Sequence, residues 1–314
     1  MKRESAAPRT LMEAISYFAK PGVARDFVAQ LRWPKGPFCE KCGETDPMFL
    51  ASVERWKCRG CGVQFSVKKG TIMEDSPISL DKWLCAMWMI ANCKNGVSSY
   101  EIHRALGVTQ KSAWFMLHRI RLAMQNKSIN KMKGPVEVDE SFIGGKVGNM
   151  SNKKRREFGA RGNPRKAVVL GMLERGGEIR AEVVSNTKRN TLVPRIEENV
   201  APGARVFTDS LPTYVVLREN FLHESVNHFR DEWVRGEAHT NGIENFWSLF
   251  KRSLGGTYVN VEPFHLFRYL DEQVFRFNNR KDTDAGRFGK LLSLLSGKRL
   301  TFKALTTGME AQTC

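Results

Sequence analysis

The chain has 314 residues, 41% of them hydrophobic, which suffices for two domains with sizeable cores. Its 50 Lys and Arg against 33 Asp and Glu give a net charge of +17, spread along the whole chain, and an excess of that size points to nucleic acid as partner. No apolar run follows Met1-Lys2-Arg3 as in a secretory signal, and the most apolar stretch, Trp83 to Ala91, is far too short for a bilayer. The sequence therefore reads as cytoplasmic and nucleoid-associated, with no membrane partner.

In chain order, residues 1–35 form a helical lead-in: two short amphipathic patterns, Thr10 to Phe18 and Val23 to Leu31, parted by Pro21-Gly22. The module at 36–75 holds Cys39-x2-Cys42 and Cys58-x2-Cys61, fifteen residues apart, each pair followed by glycine. That spacing places four thiolates around one structural Zn²⁺ and predicts a zinc ribbon. Arg55, Lys57, Arg59, Lys68 and Lys69 crowd the same module, as suits a ribbon facing phosphates. Cys85 and Cys93 read as thiols on a helix and Cys314 as a tail residue.

Residues 76–125 predict a helix-turn-helix. Ser98 and Glu101 have capping-box spacing, Gly107-Val108-Thr109 makes the turn, and Thr109 caps a second helix from Gln110. Gln110, Lys111 and Ser112 are then its first exposed residues and the candidates to reach bases. A polar linker at 126–134 follows.

From Pro135 the pattern turns β. Val136 to Val138 predicts a strand that delivers Asp139. Glu137 and Glu140 flank that acid and are assigned to the opposite sheet face. Residues 146–166 form a cationic loop with Lys153, Lys154, Arg155 and Arg156, expected to gather DNA. Ala167 to Leu173 and Ile179 to Val184 predict a hairpin, and Thr191 to Val200 a helix. Arg205 to Thr208 is a strand ending at Asp209, Pro212 to Asn220 is helical, and Glu224 to Asn227 is a short strand. From Asn241 a helix buries Ile243, Phe246, Trp247 and Phe250 and carries Glu244 and Lys251 on a neighbouring stripe, two turns apart. Phe264 to Asn278 is the last helix of this domain, taken as 135–282, and 283–314 is a tail in which Arg287 to Leu295 is expected to add one more helix.

These residues resemble the DDE transposases of bacterial insertion sequences, in particular the ISXO-like subgroup with an N-terminal zinc ribbon, related to Mutator-like elements. The resemblance runs from about Phe18 to about Asn279. It rests on Asp139 with the Phe142-Ile-Gly-Gly145 run, on strand-end Asp209, and on Glu244-x6-Lys251. It implies an α/β, RNase H-like domain, a mixed five-stranded sheet with helices on both faces. It also implies that Asp139, Asp209 and Glu244 are catalytic and hold two Mg²⁺ (or Mn²⁺) ions. Asn241 and Asn245 flank Glu244, and a carboxylate is the better Mg²⁺ ligand. Lys251 and Arg252 are expected on DNA phosphates. His239, with Asn241, either contacts the scissile phosphate, orders Glu244 or is merely structural. Trp247 is a core anchor rather than a wedge between bases. The expected function is end binding, strand cleavage and strand transfer by a homo-oligomer assembled on double-stranded DNA. The alternatives are a DNA-binding regulator with an inert RNase H-like domain, or a host nuclease.

Overall fold

The computed structural model describes residues 8–126, 128–144, 166–209, 211–226, 239–259 and 261–307. Lys153, Lys154, Arg155 and Arg156 of the basic loop lie outside them, as does Cys314. The chain divides into two compact units. One is residues 1–125 together with 279–314, and the other is residues 126–278. Among the described residues no helix is long and apolar enough to cross a membrane.

The first unit opens with α1 (Leu11–Phe18), capped by the Thr10 hydroxyl on the Glu13 amide, and α2 (Val23–Arg32). The strands β1 (Met48–Leu50), β2 (Arg55–Lys57) and β3 (Gln64–Phe65) form an antiparallel ribbon in that order. Trp56 and Phe65 pair across it, and Trp33 meets Trp56 edge-on at 5.3 Å. The helix α3 (Leu80–Asn92) is buried nearly all round, with Trp83, Leu84, Met87, Trp88 and Ile90 inside. A helix that apolar needs neighbours on every side.

Some of those neighbours come from the far end of the chain. The stretch after residue 282, expected as a tail with a helix at Arg287 to Leu295, returns to this unit. Its helix Asp284–Ser293 sets Phe288 at 5.0 Å from Trp88 and 6.1 Å from Phe18, ring to ring. Ile72 then donates to the Leu295 carbonyl and Gly297 to that of Gly70.

The helices α4 (Ser99–Leu106) and α5 (Gln110–Ala123) follow α3. Ser98 and Glu101 form the expected capping box, and Thr109 caps α5 through the Ser112 amide. Of the three residues expected at the surface of α5, only Lys111 is exposed. Gln110 donates to the Ser99 hydroxyl at 2.8 Å, and the Ser112 hydroxyl accepts from Thr109 at 2.9 Å. Both serve the turn, because the two helices pack too closely there to leave their polar side chains unpaired. Lys111 itself sits 4.6 Å over the Phe302 ring of the C-terminal helix Phe302–Thr307.

The second unit holds a mixed five-stranded sheet with helices. Its strands are β4 (Val136–Ile143), β5 (Ala167–Glu174), β6 (Ile179–Val184), β7 (Arg205–Thr208) and β8 (Leu222–Ser225), in the order β6-β5-β4-β7-β8. β5 runs antiparallel to both β4 and β6, and β7 and β8 run parallel to β4. The strand β8 starts two residues before the stretch expected for it.

Alternation sends β-branched and aliphatic residues to both faces. On one face Val136, Val138, Leu170, Met172 and Val206 pack with Leu192 and Ile196 of α6 (Arg189–Asn199) and with Tyr214 and Leu217 of a 3-10 stretch, Pro212–Glu219. On the other, Val169, Leu173 and Ile179 pack with Ile243, Phe246, Trp247 and Phe250 of α7 (Asn241–Ser253). Leu270, Val274 and Phe277 of α8 (Leu266–Asn278) complete that core. Between α7 and α8, Leu254–Tyr258 makes a π-helical turn.

Candidate active site and metal centre

The cysteine pairs sit in two backbone knuckles. Gly43 donates to the Cys39 carbonyl at 2.8 Å, Gly62 to that of Cys58 at 3.1 Å, and the Cys61 amide points at the Cys58 sulfur at 3.4 Å. All four sulfurs lie within 4.8 Å of one another, with Cys39 to Cys61 at 3.6 Å and Cys42 to Cys58 at 3.4 Å. A Zn²⁺ bonded at about 2.3 Å to each would set sulfur–sulfur edges of about 3.8 Å, so the cradle needs little movement to take the ion. Among the described residues no other group of three or more acidic, His or Cys side chains is gathered in this way.

Asp139 and Asp209 stand on adjacent parallel strands. The register pairs Val136 with Val206 and Glu137 with Phe207, and Asp139 and Asp209 each lie two residues past the last pair. Asp209 follows the last residue of β7, and its Oδ1 accepts the Leu211 amide at 3.0 Å, which turns the chain into the 3-10 stretch. Asp139 is half-buried, and its Oδ2 accepts the indole N–H of Trp247 at 3.0 Å. Burial first, then the charges of Glu140 and Asp209, push the Asp139 carboxyl up to about 7; the indole bond acts the other way. This is a set of oxygen donors whose negative charge is costly to hold without a cation. It fits a hard ion such as Mg²⁺ rather than Zn²⁺.

Glu244 lies in the first turn of α7, where its Oε1 accepts the Thr240 hydroxyl at 3.0 Å. It is half-buried, whereas Asn241, Asn245, Lys251 and Arg252 are exposed. Thus Asp139 and Asp209 are brought within electrostatic reach of each other, while Glu244 is carried on a separate helix, and the three carboxylates are not gathered as the four sulfurs are.

Glu140 faces away from Asp139 as expected. Its Oε2 accepts the buried Tyr214 hydroxyl, whose proton is held well above the usual phenol range by burial and by Glu140. Glu137 does not face away. Residues two apart on a strand share a face, so Glu137 points the same way as Asp139. It is 1% exposed, its Oε2 accepts the Ile243 amide at 3.0 Å, and its Oε1 accepts Arg175 Nε at 2.8 Å. His239 Nδ1 lies 3.4 Å from the same carboxylate, and the His239 carbonyl accepts Arg175 Nη2 at 2.8 Å. His239 is thus placed beside Glu137. Trp247 is the buried anchor expected of it, and also a hydrogen-bond donor to Asp139. Hydrophobic periodicity gives the first role and cannot give the second.

Residues 131–278 match the ISXO2-like transposase domain, and residues 22–64 match the transposase zinc-ribbon domain. Over 286 residues, 84% of this chain and 95% of the relative, the sequence is 27% identical to a protein of the transposable element ISH50 of Halobacterium salinarum. A transposase-like protein of Haemophilus influenzae is 38% identical over 98 residues, 31% of this chain and 78% of that relative. With a four-cysteine ribbon ahead of a mixed sheet that bears these acids, the chain belongs to the ISXO2-like transposase family.

Proposed function

We propose that this transposase-family chain binds the ends of its insertion sequence and catalyses DNA strand cleavage and strand transfer with a divalent metal. The observation that supports this most is the placement of Asp139 and Asp209 two residues past the last paired positions of β4 and β7, within electrostatic reach of each other, with Glu244 on the helix whose Trp247 is bonded to Asp139. The strand order, an antiparallel meander of three followed by two parallel strands, supports the RNase H-like reading of this domain.

In cleavage, a water oxygen bonds to phosphorus as the P–O3′ bond breaks, leaving a 3′-hydroxyl. In transfer, that hydroxyl oxygen attacks a target phosphodiester and the target's own P–O3′ bond breaks. Mg²⁺ or Mn²⁺, when bound, would supply nucleophile activation and stabilise the leaving oxygen. Asp139, Asp209 and Glu244 are the residues that would hold it.

Lys251 and Arg252, exposed in the last turn of α7, would bind phosphates. Lys153, Lys154, Arg155 and Arg156 would add salt-dependent attraction for target DNA. The α4–α5 pair would serve as the helix-turn-helix that reads the ends, with Lys111 at its surface. Gln110 and Ser112 would have to leave their capping bonds to take part. A homo-oligomer assembled on DNA would bring two ends together.

The test is strand cleavage and joining on DNA that carries the element's own ends. Asp139→Asn, Asp209→Asn and Glu244→Gln should each abolish both steps while end binding persists. A fully active Glu244→Gln beside an inactive Asn241→Ala would move the third ligand to Asn241. Activity in all three acid variants would overturn the reading.

A further inference from the structure

The helix that carries Glu244 begins without help from its own sequence. Its N-cap residue, Thr240, makes no side-chain bond to the helix amides; its hydroxyl goes to Glu244 instead. The free amides of a first turn need acceptors, and the acceptor for Ile243 is Glu137, 106 residues earlier on β4. A buried carboxylate is stable there only with a cation beside it, and Arg175 from the β5–β6 turn supplies one. Arg175 also holds the His239 carbonyl, just ahead of the helix, and lies 4.2 Å over the Phe207 ring.

One turn further along, Trp247 bonds Asp139. Helix and strand are therefore tied at two points. Residues 243 and 247 lie four apart on the helix, and residues 137 and 139 lie two apart on the strand. The fit around both ties is tight. A Cβ on Gly242 would come within 2.8 Å of Glu137 Oε2 and 2.7 Å of Leu173 Cδ2. A Cβ on Gly171, the cross-strand partner of Asp139, would come within 2.7 Å of Trp247 Cζ2.

We infer that the Glu137–Arg175 pair is a positioning device, which fixes the register of α7 on β4 and so sets Glu244 against Asp139 for a shared divalent ion. The inference rests on the proposed metal-dependent function, and it assigns Glu137 to holding the helix rather than the metal. Two ties prevent both sliding and rotation, whereas the Trp247 bond alone would leave the helix free to pivot about it. A misplacement of about 1 Å in a ligand carried on such a helix is enough to weaken an ion that requires near-ideal octahedral geometry.

The experiment uses the full chain with zinc retained and titrates Mn²⁺ alone, followed by electron paramagnetic resonance. Glu137→Gln keeps a carbonyl oxygen for the Ile243 amide and removes the charge. It should weaken Mn²⁺ binding about 10- to 100-fold and speed hydrogen exchange at Ile243. Arg175→Gln, which leaves Glu137 on the Ile243 amide, should weaken Mn²⁺ binding less, and Arg175→Lys least. A purely structural pair would lower the melting temperature and leave the Mn²⁺ affinity of the folded fraction alone. Parental affinity in folded Glu137→Gln, or in both Arg175 variants should Glu137→Gln not fold, overturns the inference. So does an Ile243 amide that exchanges fast in the unaltered chain. An unaltered chain that binds Mn²⁺ with this dependence on Glu137 and yet cleaves no DNA overturns the proposed function and leaves the positioning role standing.

Discussion

The indole N–H of Trp247 donates to Oδ2 of Asp139 at 3.0 Å, so the aromatic core of the second unit and its central acid share one hydrogen bond. Trp247→Phe keeps most of the buried volume and removes the donor. The loss should cost about 1–2 kcal/mol of stability, for the bond and a small void. Strand cleavage should fall much further, about 10- to 100-fold, because the carboxylate loses the contact that orients it. Thermal melts and cleavage rates measured side by side check this. Equal, small losses in both would show that the bond is only structural.

A second expectation concerns the charge on Asp139. Its carboxyl is pushed up to about 7 from an ordinary value near 4, mainly by burial. A raised carboxyl costs the folded state nothing below its unfolded pKa. The cost grows as pH rises through about 4 to 7 and is then constant. With zinc retained and no other divalent ion added, Asp139→Asn should therefore stabilise the protein at pH 8 by about 2–3 kcal/mol and have little effect near pH 4. Urea unfolding at the two pH values reads the difference. A variant less stable than the parent at pH 8 would contradict it.

His223 on β8 predicts an effect of the opposite sign. Its Nε2 lies 2.9 Å from the Thr208 hydroxyl, and burial, then Arg218, holds the ring down at about 4. Below the ordinary histidine value of about 6.5 the unfolded chain takes up a proton that the folded chain refuses until about 4. Stability should fall across that window as the medium is acidified. His223 is only partly buried, so its share is discounted to about 1–2 kcal/mol. His223→Gln should remove that share of the acid sensitivity between pH 6.5 and 4; an unchanged slope there would refute it.

For the ribbon, metal removal should act through folding. Three short strands and one aromatic cluster, Trp33, Trp56 and Phe65, form too small a core to hold without the ion. Cys39→Ser, or a chelator, should unfold the ribbon and expose Trp33 and Trp56 to water. Adding Zn²⁺ back should restore the chelated protein and not the variant. Tryptophan emission and zinc content per chain check this together.

Much of the architecture was legible because it depends on neighbours in sequence. The cysteine spacing, the Ser98–Glu101 capping box and the apolar face of α7 are local patterns, and the structure places each where the pattern predicts. What was missed depends on distant partners. The apolar pattern around Phe288 was legible as a helix, but its partners Trp88 and Phe18 lie two hundred residues earlier or more, so its place in the N-terminal unit was not. Glu137 could have been placed from alternation alone, since it lies two residues before Asp139. Its acceptor role could not, because the amide it receives belongs to a helix more than a hundred residues away. Gln110 looked exposed because position in a helix does not reveal that Ser99 of α4 accepts from it, whereas the Ser112 hydroxyl is taken by Thr109 of its own turn.

The return of the C-terminal segment has a consequence for the order in which the protein matures on the ribosome. The second unit closes its core within residues 126–278 and can fold as soon as α8 has emerged. The first unit, begun earlier, must wait, because Phe288, Leu300 and Leu305 complete the packing around Trp88, Trp114 and Phe115. A chain cut short after residue 278 would thus carry a finished second unit and an N-terminal unit with bare aromatic surface. Such a fragment would be prone to aggregation and proteolysis, so synthesis past residue 305 itself becomes a condition for a sound N-terminal unit.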